Sequence, residues 1–130
     1  MIIDFHTHVF PEKIAYKAIN ALKASSGYQN CADGTAKGLI KSMEEAGIDI
    51  SVNMPILSRP EAFEKTLFHL IEELSNDRIL SFAPIHPRCE NVEDKINVIK
   101  QAGYKGIKLH PFFQNEPLDS DATMRLISLA

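Results

Sequence analysis

His6 and His8 stand one residue apart in the pentapeptide Asp4-Phe5-His6-Thr7-His8, and the whole chain of 130 residues has only five histidines. Neutral imidazole is the commonest protein metal ligand. Residues i and i+2 of a strand share a face, so an extended backbone puts Asp4, His6 and His8 in one row and Phe5, Thr7 and Val9 in the other. Imidazoles about 6.5–7 Å apart along a strand can converge on one cation through their rotamers. Two histidines in a polar site without a metal would share that spacing. The metal reading is favoured by position, because the pair sits at the carboxyl end of an opening strand, where α/β barrels build their sites.

The stretch Gly106-Ile107-Lys108-Leu109-His110-Pro111 repeats the pattern, with Lys108 and His110 on one face. A lysine there either binds substrate charge or, once carboxylated, bridges two metals; a side chain reaching out to solvent is the bland alternative. His86 precedes Pro87 at an equivalent strand end. These residues, with Asp4, are the candidates for substrate binding or for supporting the metal ligands. His69 falls within a helical pattern and reads as structural or surface. No Gly-x-Ser-x-Gly elbow is present, and neither Cys31 nor Cys89 lies in a nucleophile motif. The remaining chemistry is metal-assisted.

The elements that must position these groups alternate. Strands are expected at Ile2 to Val9, Ile48 to Met54, Ile79 to His86 and Lys105 to His110, each closed at or near a proline: Pro11, Pro55, Pro87 and Pro111. Both faces of these strands are apolar, as in a parallel sheet covered by helices. Helical periods fill the gaps. Ile14, Ala18, Ile19 and Leu22 form one stripe. Thr35 is a candidate N-cap for a helix burying Leu39, Ile40 and Met43. Ser58 and Pro60 open a third helix with Phe63, Leu67, Leu70, Ile71 and Leu74, and Asn91 opens a fourth with Val92, Ile96 and Ile99. Two helices end in Ala-Gly, at Gly47 and Gly103, and each is followed by a strand and a proline. The fold class is therefore α/β, built of right-handed parallel βα units. No dinucleotide glycine fingerprint follows any strand. A closed (β/α)8 barrel needs about 250 residues. Right-handed βα units wind either into an open doubly wound sheet or into such a barrel; in a barrel, residues 1–130 would be a single partial domain, strands one to four with their helices, and the apolar run Met124 to Ala130 suggests that the fold continues.

Composition narrows the partners. The chain is 45% hydrophobic and 24% charged with net charge −3, and its lysines are scattered, which argues against a nucleic-acid partner. No apolar run approaches a membrane span, and the N-terminus lacks the pattern of a signal peptide. Two cysteines without a pairing pattern read as free thiols in a reducing cytoplasm.

The segments Ile2-Ile3-Asp4-Phe5-His6-Thr7-His8-Val9-Phe10-Pro11, Glu44 to Ile56 and Lys105 to Gln114 together resemble, in order and spacing, the amidohydrolase-related family of metal-dependent hydrolases and decarboxylases. The resemblance implies the N-terminal half of a (β/α)8 barrel with a divalent metal at its mouth, most often zinc. It matches His6 and His8 to the family's first two ligands. A further histidine after strand five and an aspartate at the end of strand eight, which also moves the proton, would lie beyond Ala130. Two neighbouring families fit less well. The polymerase-and-histidinol-phosphatase group typically continues its His-x-His into Ser-Asp-Gly, where this chain has Val9-Phe10-Pro11. TatD-like nucleases carry a glutamate at the position of Lys108. The implied function is hydrolysis of a small organic substrate by metal-activated water. The alternatives are non-oxidative decarboxylation and a non-enzymatic half-barrel. A half-barrel leaves open edges and an apolar inner face, so a C-terminal half or a second copy is the expected partner.

Overall fold

The computed structural model describes residues 1–27, 32–74 and 76–130. Cys31 lies outside the described residues; Cys89 is a buried free thiol that contacts the Pro60 carbonyl. Among the described residues, strands β1 (Ile3–Thr7), β2 (Ile50–Asn53), β3 (Ile79–Ser81), β4 (Ala83–Pro84) and β5 (Ile107–Lys108) alternate with helices. The helices are α1 (Glu12–Ser26), α2 (Ala36–Ala46), α3 (Phe63–Glu73), α4 (Val92–Gln101), α5 (Pro111–Gln114) and α6 (Asp121–Leu129). None is long and apolar enough to cross a membrane.

The helix boundaries have local causes. Thr35 accepts a hydrogen bond from the Gly38 amide at 2.9 Å and caps α2. Gly47 ends that helix at φ 70°, and Gly103 follows α4 at φ 83°, the left-handed conformations for which glycine is favoured. Ser120 caps α6 by accepting from the Thr123 amide. Three expectations need adjustment. The third helix starts with a short 3-10 turn, Pro60–Ala62, because proline presets the first turn, while Ser58 stays outside it. Asn91 precedes α4 in the left-handed conformation and makes no capping bond with its side chain. Ile14 and Ile71 lie on the exposed sides of their helices, and Ala15, Leu67 and Leu70 carry the burial instead.

All named strand pairings are parallel and follow chain order: β1 with β2, β2 with β3, β4 with β5. β3 and β4 are the two halves of the single strand expected at Ile79 to His86. The Phe82 amide still donates to the Asn53 carbonyl at 3.0 Å, and the Ala83 amide donates to Gly106 at 2.9 Å. The run thus passes from one neighbour to the other at Phe82. Gly106 makes room for that crossing: a Cβ there would meet the Phe82 ring at 2.6 Å.

One face of the strands is packed by helices. Ala83 and Ile85 are fully buried with Phe63 and Leu67 of α3, Ile96 and Ile99 of α4 and Leu126 of α6; Ile107 and Leu109 pack on the same cluster. The other face carries Ile3, Ile50, Val52 and Leu80, whose pairings place them side by side. Phe5 lies against Phe82 in an edge-to-face contact, yet Phe5 is 60% and Leu80 49% exposed.

Candidate functional site

The row expected from strict alternation is interrupted. Asp4 pairs with Ser51 and Thr7 with Asn53, so β1 spends three steps where β2 spends two. This bulge puts Asp4 and Thr7 on the same side, the one shared by Ser51 and Asn53. Asp4 therefore leaves the row of His6 and His8, and its carboxylate accepts from the His6 amide at 3.2 Å, which braces the bulge. Thr7 anchors the strand by donating to the Val52 carbonyl at 3.0 Å. The Val9 amide donates to the buried Asn53 side chain, which in turn donates to Ser81, so three strands are tied just behind His8.

His6 and His8 come together all the same, with ring centroids 5.0 Å apart. Lys108, delivered by β5, places its Nζ 3.5 Å from His6 Nε2. An ammonium can only donate, so that nitrogen of His6 presents its lone pair. His8 is held below the ordinary histidine range, first by burial and then by the nearby charges of His6 and Lys108, while a hydrogen bond to the Met54 backbone opposes the shift. The bond to a backbone acceptor uses one His8 nitrogen as donor and leaves the other as a neutral lone pair. The contact of Lys108 with His6 means that the ends of the first and fourth strand regions face one space.

His110 N-caps α5. Its Nδ1 accepts from the Phe113 amide at 3.4 Å, the long end of the range, and its ring packs on Phe113 with centroids 4.5 Å apart. An accepting Nδ1 leaves the hydrogen on Nε2, which makes His110 a donor rather than a metal ligand in this tautomer. His86 is used differently. It is 4% exposed, its Nδ1 accepts from the Arg88 amide at 3.1 Å, and its Nε2 therefore donates to the Gln114 carbonyl at 3.1 Å. Both nitrogens are spent on backbone.

The donor set matches a divalent metal in part. His6 and His8 offer two ring nitrogens, and a cationic group already occupies the space before one of them. A catalytic zinc normally takes three protein ligands. Among the described residues no group of three or more metal-binding side chains is present.

Sequence reasoning overlooked the polar links behind the site. Gln114 is 5% exposed and binds three backbone groups, and Glu116 is buried against Arg88, whose guanidinium holds the Glu116 carboxyl below its usual range. The available signal was the interval of four from His110 to Gln114, which returns a side chain to the same edge of a helical turn.

No protein-family model matches the chain, and no curated protein matches it. A solved structure does: a probable 2-pyrone-4,6-dicarboxylic acid hydrolase from Acinetobacter baumannii with citric acid bound. The two share 18% identity and a TM-score of 0.56 over 98% of this chain and 45% of that one. The likeness is one of fold, and this chain spans less than half the length of that hydrolase.

Proposed function

We propose that this chain is the N-terminal part of a (β/α)8-barrel, metal-dependent hydrolase acting on a small substrate that carries carboxylates. The observation that carries the reading is the meeting of Lys108 with His6 beside His8, from opposite ends of the chain. The solved relative supports it through its hydrolase fold and the polycarboxylate it holds.

His6 and His8 would hold the metal, with zinc the expected ion, together with donors from outside these residues. When bound, such a cation lowers the pKa of a bound water toward about 7 or polarises a carbonyl. The chain's own groups do the rest. Burial favours the neutral form of His8, the form with a lone pair for coordination. Lys108 supplies a mobile positive charge, and His110 Nε2–H a fixed donor, on the side from which an anionic substrate would enter.

Calorimetric titration with zinc and then with citrate tests this. Wild type should take up zinc, whereas His6→Ala and His8→Ala should lose it. Lys108→Met should keep zinc and bind citrate more weakly. Equal zinc uptake by wild type, His6→Ala and His8→Ala would remove the metal role of the histidine pair.

A further inference from the structure

We infer that Gln114 is the positioning residue of this site: its buried carboxamide fixes His110 against the loops that follow the second and third strand regions. The inference rests on the functional reading above for its purpose, but not for its geometry. Gln114 Oε1 accepts from the His110 amide at 2.8 Å. Its Nε2 donates twice, to the Ile85 carbonyl at 2.8 Å and to the Leu57 carbonyl at 3.0 Å. Its own amide donates to the His110 carbonyl at 2.9 Å, and its own carbonyl accepts from His86. Both donor hydrogens of the carboxamide are therefore used, together with its oxygen. His110 is bound to this one residue through both its N–H and its C=O.

The arrangement is specific to a carboxamide of this length. Glutamate would keep the acceptor for His110 but lose both donors, setting a negative charge against two carbonyls. Methionine would fill nearly the same space and make none of the three bonds. Leu57 follows β2, Ile85 follows β4 and His110 follows β5, so Gln114 ties three carboxyl ends together at the height of the site. It touches neither His6 nor His8 in any hydrogen bond described, so its removal should move His110 selectively. A ring whose Nδ1 is held and whose backbone is clamped presents Nε2–H in one direction.

The test is long-range proton–nitrogen NMR of the histidine rings, with amide hydrogen exchange, on the full chain as wild type and Gln114→Met. The His110 amide should exchange about tenfold faster in Gln114→Met, as for loss of one hydrogen bond. The His110 ring signals should shift while those of His6 and His8 stay in place. His110 signals that coincide in the two proteins overturn the inference. So does an equal disturbance of every histidine, which would mark a general structural role. Should Gln114→Met fail to fold, wild type alone decides: the Gln114 carboxamide protons must be protected from exchange, and rapid exchange overturns the inference. Malonate added to both proteins separates the two readings. If it leaves His110 of wild type unmoved, the anion-binding proposal fails, while the exchange data still decide the role of Gln114.

Discussion

Lys108 Nζ reaches to 3.5 Å from His6 Nε2 across 102 positions of sequence, and so places a positive charge beside the lone pair that a metal would use. The two groups compete for one space. A cation entering there must displace the ammonium, and an anion entering there is met by it. This sets opposite signs for the two kinds of ligand. Lys108→Met should bind zinc about three to ten times more tightly and citrate correspondingly less, since one charge at this range in a partly solvated site is worth about 1 kcal/mol. Parallel titrations with zinc and citrate measure both; a loss of zinc affinity would instead point to a lysine that acts as a ligand.

The depressed His8 predicts acid sensitivity. Its ordinary value is 6.5, and burial is the largest cause of the shift. As pH falls below about 6.5 the unfolded chain takes up this proton before the folded chain does, so stability falls with pH. Denaturant titrations between pH 7.5 and pH 5 should show that decline in wild type and a shallower one in His8→Gln. Parallel curves for the two proteins would exclude His8 as the source.

Lys108→Met should also raise the His8 pKa without restoring it fully, because burial precedes both His6 and Lys108 among its causes. Titration of the ring proton by NMR reads this directly. A complete return to the ordinary value would make charge, not burial, the main cause.

The exposed sheet face predicts association. Ile3, Phe5 and Leu80 lie about half exposed on β1 and β3, on either side of β2, and exposed apolar patches promote contact with another chain. Sedimentation of this chain alone should show dimers or larger species, reduced in Phe5→Gln. A stable monomer over the micromolar range would count against the half-barrel reading.

Gly106→Ala should cost about 1–3 kcal/mol of stability, as for other overpacked positions, since the new methyl would meet the Phe82 ring at 2.6 Å. The double variant Gly106→Ala with Phe82→Leu should recover part of that loss. Thermal melting of the single and double variants checks it.

The sequence by itself determined the alternation of strands and helices. Local chemistry does that work: Thr35 caps one helix, and Gly47 and Gly103 stand at the ends of two. The parallel, sequential pairing followed from strands apolar on both faces. The meeting of His6 with His8 was legible too, because two residues so near in sequence cannot be far apart. Tertiary structure decided the rest. The bulge that turns Asp4 away from His6 depends on how β1 registers against β2, which no window of β1 contains. The division of the third strand at Phe82 depends on which neighbour each half finds. Nothing in the run Ile85-His86-Pro87 separates a site histidine from one whose two nitrogens are bound by Arg88 and Gln114. Gln114 itself looks like an ordinary polar residue until the ends of three strand regions converge on it. Hydrogen-bond partners of buried polar groups are set by long-range packing, and periodicity records only which way a side chain points.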